Sequence, residues 1–135
     1  MSDARPYVRP NAFLAWVVNP VVVGLGLGTT LIVRGRTSGR EIRVPMGAPL
    51  EFEGGRYLVS GRGETHWARN LRAAGEASLR SHGRVERFRA TEIEGEARVR
   101  VLAAYRTKLG RSVDDYWAKI PDAADHPVFR MDPIG

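Results

Sequence analysis

The residues with the clearest chemical potential sit in turns. Tyr57-Leu-Val-Ser60 is an apolar run that breaks into Gly61-Arg62-Gly63, and Thr65-His66-Trp67 then opens a helix. Glycines let a backbone turn sharply and come close to a ligand. The N–H groups and positive dipole end of a helix start favour negative charge. Arg62 adds a planar cation between the two glycines. Ser60, Gly61, Arg62 and Gly63 therefore suit a phosphate or carboxylate, or else the glycines only shape a strand-to-helix turn. A second turn, Gly35-Arg36-Thr37-Ser38-Gly39-Arg40, gathers two arginines and two hydroxyls. It reads as another cradle for phosphate oxygens or as a solvated hairpin tip.

Other candidates lie on helices. Trp67 is a core residue or a stacking platform. Asn70 is an unexpected choice on a helix that also buries Leu71, so its amide needs a partner in a neighbouring loop or a ligand. Tyr105, Tyr116 and Trp117 are candidates to line a pocket. Tyr105 falls on an apolar stripe, whereas Tyr116 is freer and its hydroxyl can donate a proton. His66 beside Glu64 is an acid/base pair or an exposed residue at a helix start.

Several chemistries are excluded or disfavoured. The chain has no cysteine, which removes disulfides, thiolate metal sites and cysteine nucleophiles. Its histidines, His66, His82 and His126, lack metal-ligand spacing. The Gly61–Asn70 segment has no Gly-Lys-Ser/Thr and no complete Gly-x-Gly-x-x-Gly, so it is neither a P-loop nor a dinucleotide fingerprint. Of 21 basic residues, all but Lys108 and Lys119 are arginine, and the formal net charge is +6. Arginine suits planar, bidentate recognition of anions, although the same bias follows from a GC-rich genome. The arginines are dispersed and the aromatics do not interleave with them on one strand face, which disfavours nucleic acid.

The elements that must position these residues follow from pattern. Strands are expected at Thr29–Arg34, Arg40–Gly47, Pro49–Phe52, Arg56–Ser60, Ala77–Ser81, Arg84–Ile93 and Val128–Met131. Pro45 places its strand at an edge or a bulge. Helices are expected at Thr65–Ala74, with Thr65 as N-cap and Gly75 as stop, and at Glu94–Lys108. The second carries a stripe of Val101, Leu102, Tyr105 and Leu109. A helical turn is expected at 114–119. Residues 12–33 carry no charge, yet Asn19-Pro20 and Gly24, Gly26 and Gly28 interrupt them. They read as a short helix, Ala12–Val18, followed by a glycine-rich connection. The Phe13/Leu14/Trp16/Val17 face also suits contact with a membrane surface. The 135 residues form one expected domain, with 1–24 an apolar helical segment packing on or near it. Hairpin-connected strands with few helices predict a mainly β, antiparallel barrel or sandwich with flanking helices.

The motifs together are similar to the deazaflavin-dependent nitroreductase family. The resemblance rests on Gly35-Arg36-Thr37-Ser38-Gly39 followed by Pro45, on Tyr57-Leu-Val-Ser60-Gly-Arg62-Gly63, on Trp67-x-x-Asn70-Leu71-Arg72 and on His126-Pro-Val-Phe-Arg130. It covers about residues 25–131. It implies a flavin-reductase-like split β-barrel that binds coenzyme F420 and passes a hydride to a quinone, nitro compound or similar small acceptor. By that resemblance Arg36, Thr37, Ser38 and Gly39 hold the phosphate side. Pro45, Met46, Ser60, Gly61, Arg62 and Gly63 flank the ring, and Trp67 and Asn70 close the site. Thr37 stands where many members carry a basic residue. The Glu64-Thr65-His66 loop is shorter than usual, and Glu64 would oppose an anion. Arg40, Arg43 or Arg69 are candidates to compensate.

A hydride-transfer cofactor brings its own chemistry, which accounts for the lack of a nucleophile, metal cluster or acid/base dyad. The expected partner is a small-molecule substrate, with Tyr116 as proton donor or pocket wall and no nucleic acid. The alternative is a non-catalytic barrel holding FMN or another flavin-like or lipid ligand. Cytoplasmic residence, peripheral membrane contact through the N-terminal segment and a homodimer complete the expectations.

Overall fold

The computed structural model describes residues 28–134. The expected N-terminal helix and its membrane-facing side lie outside the described residues.

Seven antiparallel strands form one sheet: β1 (Thr29–Arg34), β2 (Glu41–Met46), β3 (Leu50–Phe52), β4 (Gly55–Val59), β5 (Glu76–Ser81), β6 (Arg84–Ile93) and β7 (Val128–Pro133). Their spatial order is β2-β1-β5-β6-β7-β4-β3. Helix α1 (His66–Ala74) follows β4, α2 (Gly95–Leu109) follows β6, and the short α3 (Asp114–Lys119) comes after a 3-10 turn. The strands and helices expected within the described residues are all present, with ends shifted by a residue or two. A further 3-10 turn at Ala123–Asp125 had no sequence signal.

Chain length forces this sheet to curl. Laid flat, its two edges would lie six strand spacings apart, about 29 Å. Those edges are β2 and β3, which follow one another with only residues 47–49 between them. The four Cα steps from Met46 to Leu50 reach about 15 Å at most. The sheet therefore bends into a half-barrel whose edges approach each other. Pro45 sits in edge strand β2, opposite Thr30, where its missing N–H costs no ladder bond on the open side.

Alternation along the strands divides the interior in two. Leu58 and Phe129 turn to one face with Leu31, Val33, Leu79, Phe88 and Met131, and Trp67, Ala68 and Leu71 of α1 cover them. Tyr57, Val59 and Val128 turn to the other, where they meet Val101, Leu102, Val113 and Trp117. Tyr57-Leu58-Val59 of β4 and Val128-Phe129 of β7 are thus apolar on both faces, which explains why they do not alternate with polar residues. Thr65 caps α1, and Gly75 ends it at φ +76°, as residue type predicted. The expected stripe on α2 holds for Val101 and Leu102, but Leu109 is exposed. It stands at the last turn of α2. No helix among the described residues is long and apolar enough to cross a membrane.

Candidate functional site

A cavity of about 410 Å³ opens where the end of β2, the end of β4 and helices α2 and α3 converge. Its volume falls in the usual range for small-molecule sites. Pro45, Met46, Leu58, Val59 and Trp67 supply apolar wall, Gly61 and Arg62 come from the turn after β4, and Tyr105, Lys108 and Tyr116 come from the helices. With Leu50 of β3 also in the lining, β2 and β3, neighbours in sequence but opposite edges of the sheet, meet at one site.

The turn after β4 is held by its own hydroxyls. The Ser60 Oγ–H donates to the Gly63 carbonyl, and Ser60 Oγ lies 2.9 Å from Thr65 Oγ1. A carbonyl can only accept, so Ser60 has used its proton and Thr65 must be the donor between the two hydroxyls. Thr65 Oγ1 in turn accepts from the Ala68 N–H, the capping bond of α1. The relay runs from Ala68 to Thr65 to Ser60 to Gly63. It accommodates Gly63 at φ +95°, a conformation that glycine adopts readily. Ser60 therefore shapes the cavity edge and offers a bound molecule no proton. From the other side, the Ser60 N–H donates to the Pro127 carbonyl over 2.8 Å.

Gly61 is a close-approach glycine. A Cβ there would lie 2.8 Å from Tyr105 Oη. The phenol rests on bare backbone, beside Tyr116 and Arg62. Burial, and then the neighbouring Tyr116, push the Tyr105 phenol up to about 12, against a smaller opposing effect of Arg62. Tyr105 is thus a protonated hydrogen-bonding group at neutral pH. The unfolded chain gives up this proton at its ordinary value of about 10, before the folded chain does. Stability present below pH ~10 is therefore expected to fall as pH rises toward about 12, by on the order of 1–3 kcal/mol. Urea midpoints at about pH 9 and pH 11.5 measure it, and Tyr105→Phe should flatten the difference relative to the parent.

Glu64, which sequence reasoning set against an anionic ligand, faces away from that role. It is 1% exposed, and its carboxylate is gripped by Arg72 through two bonds of 2.7 and 3.1 Å. Arg72 also binds Glu92 at 2.6 and 2.8 Å. The hydrogen bonds from Glu92 and then Glu64 hold the Arg72 guanidinium far above its usual range, so it stays charged. Glu64 is a buried structural ion, whereas His66 is exposed.

The sequence candidates fall into two groups. Pro45, Met46, Ser60, Gly61, Arg62, Trp67 and Tyr116 line the cavity. Arg36, Thr37, Ser38, Gly39, Gly63 and Asn70 are not among its lining residues. Instead the Arg36 turn docks on α1. The Arg36 backbone N–H and guanidinium donate to Asn70 Oδ1 at 3.1 and 2.6 Å, and the guanidinium reaches the His66 carbonyl at 3.5 Å. Asn70, 3% exposed, has found its partner in a neighbouring loop. Trp67 packs on Phe129 with ring centroids 6.3 Å apart, as a core residue, and also forms cavity wall.

His126 is not among the lining residues but contacts the cavity turn, and sequence reasoning gave it no site role. It is fully buried, with Nδ1 3.0 Å from the Gly61 carbonyl and Nε2 2.6 Å from the Ile120 carbonyl. Its ring stacks on Trp117 at 4.0 Å and 4°. The contact with Gly61 spans 65 residues, so no local spacing could have revealed it. Among the described residues, no cluster of His, Cys, Asp and Glu could hold a metal ion.

No protein-family model matches the sequence, and no curated protein matches it. Solved structures do match. An F420-H2-dependent reductase is 23% identical over 77% of this chain and 92% of its own, with a TM-score of 0.61. The fold is a split β-barrel. The heme storage protein HutZ of Vibrio cholerae shares this split barrel at 17% identity and a TM-score of 0.57, over 87% of this chain and 91% of its own. A heme-binding protein of Mycobacterium smegmatis is 16% identical, with a TM-score of 0.51, over 92% of this chain and 52% of its own. At these identities the likeness establishes the split barrel, while the chemistry must be argued from the cavity.

Proposed function

We propose that this split barrel is an oxidoreductase that binds coenzyme F420 in the cavity and reduces a small organic acceptor such as a quinone or nitro compound. The observation that carries the reading is the lining itself. Met46, Leu58, Val59 and Trp67 make an apolar wall suited to a planar ring, while Arg62 and Lys108 bring cations to the same cavity as two phenols. A ring system joined to an anionic tail matches both halves. The fold shared with an F420-H2-dependent reductase supports the choice. Haem fits the lining less well, since no histidine or cysteine is among the described residues that form it.

Reduced F420, when bound, supplies a hydride. The chain's part is to bind, orient and manage the proton. Trp67 and Met46 exclude water from the ring side. The Arg62 guanidinium stabilises negative charge on the cofactor. A two-electron reduction of the acceptor also takes up a proton, and we assign the Tyr116 Oη–H to deliver it, with solvent restoring it. Arg36–Gly39 and Asn70 support the site from outside the cavity, since their bonds tie the β1–β2 turn to α1.

Titration with oxidised F420, FMN and hemin, followed by tryptophan fluorescence and by ligand absorbance, tests the reading. Saturable F420 binding at micromolar concentration is expected, with the reduced cofactor turning over in the presence of a quinone. Failure of F420 to bind while FMN or hemin does would replace the cofactor. Arg62→Ala is expected to weaken F420 binding about 10–100-fold, the loss of a charged hydrogen bond. Equal affinity in that variant would remove Arg62 from the anion site.

A further inference from the structure

We propose that the acceptor reduced at this site carries a carboxylate, and that Lys108 at the cavity mouth selects it. The reaction part of this inference rests on the F420 reading, and the binding part does not. The lining holds two cations, Arg62 and Lys108, and among the described residues that form it none is Asp or Glu. A cleft lined by one sign of charge, with apolar walls, raises the local concentration of the opposite sign. The cavity therefore favours anions and disfavours amines.

The two cations stand at different depths. Arg62 is half-buried, on the turn whose Ser60, Gly61 and Thr65 are buried. Lys108 is exposed, in the last turn of α2. Tyr105 relates them, because its phenol rests against Gly61, the residue before Arg62. Lys108 is one turn further on, on the same side of the helix and about 4.5 Å along its axis. Asp114 and Asp115 open α3 close by in sequence. Asp114 is drawn to Arg106 at 4.0 Å, and no carboxylate of the described residues pairs with Lys108.

Two cations at two depths suit two anions. The cofactor brings one, which Arg62 takes in the reading above. The acceptor brings the other. A carboxylate at the mouth keeps part of its water, so its pairing with Lys108 costs little dehydration. The rest of the acceptor extends inward against Tyr116, Met46 and Leu109. Leu109, 40% exposed and of no use to the core, has its place as apolar rim. The carboxylate is unchanged in the reaction. It orients the acceptor so that the quinone or nitro end enters first.

Equilibrium dialysis of 4-nitrobenzoate against 4-nitrobenzamide, which keeps the shape without the charge, tests the proposal on the full chain. Both the cofactor-free protein and protein mixed with oxidised F420 are used. The acid is expected to bind about 3–5-fold more tightly than the amide at low salt, and the preference should shrink at high salt. Lys108→Gln should erase the preference and Lys108→Glu should reverse it. Equal affinity in the parent, a preference that survives Lys108→Gln, or no saturable binding of the acid in either form would overturn the proposal. So would an acid that blocks reduction of the amide by reduced F420 without being reduced itself. If the charge preference follows Lys108 but F420 does not bind, the cofactor reading fails and the carboxylate site stands.

Discussion

Arg72→Ala is expected to lower folding stability by about 3–5 kcal/mol, read from urea unfolding. The argument is the fate of Glu64. Its carboxylate is 1% exposed and its two bonds to Arg72 anchor it in the interior. Removing the arginine leaves a charge that water cannot reach. Glu92 is also held by Arg72, but at 19% exposure it can recover part of its hydration. The double variant Arg72→Met with Glu64→Leu should recover much of the loss, because a buried pair replaced by apolar residues of similar volume is often neutral. By contrast, Arg43→Ala should cost less than about 1 kcal/mol, since its bridge to Glu41 lies in solvent. An Arg72→Ala loss no greater than that of Arg43→Ala would dismiss Glu64 as a buried ion.

Trp117→Ala should cost a similar amount, about 3–5 kcal/mol. The indole is 8% exposed and belongs to the cluster with Leu50, Val101, Leu102, Val113 and Val128. It carries His126 at 4.0 Å and meets Tyr105 with centroids 6.1 Å apart. Its removal leaves a cavity behind the helices and strips the stacking partner from His126. Trp117→Phe retains an aromatic face and should recover roughly half of the loss. The thermal midpoints of the two variants give the comparison, and an alanine variant within about 1 kcal/mol of the parent would show that α3 is dispensable for packing.

Strand and helix positions were readable because they depend on neighbours in sequence. Leu31 and Val33 alternate with polar or half-buried positions, Thr65 and Gly75 mark helix ends by residue type, and Pro45 can occupy only an edge or a bulge. The split barrel itself needed the family resemblance, since hairpins alone did not distinguish a barrel from a sandwich. Charge was read less well. Glu64 looked like an obstacle to an anion because its partner Arg72 lies 8 residues further along, on α1, where it is shared with Glu92 of β6. Asn70 was suspect for the right reason, an amide on a burying helix, but its partner Arg36 is 34 residues away. His126 carried only the signal of its motif. Its role depends on which two carbonyls the fold brings to its ring.

The strand order also has a consequence for how the protein is made. β7 is the last of the seven strands in chain order, yet it lies between β6 and β4. During synthesis the earlier strands can form only two separate sheets, β2-β1-β5-β6 and β4-β3. Each holds an open edge until Val128–Pro133 arrives and pairs with both. The same arrival brings the Pro127 carbonyl to Ser60 and the His126 ring to Gly61. The turn that shapes the cavity is thus completed in the step that closes the sheet. Such late, long-range pairing is slow and leaves strand edges open to neighbours. The nascent chain is most vulnerable to aggregation in the interval before its last strand docks, and it has no ligand site until that interval ends.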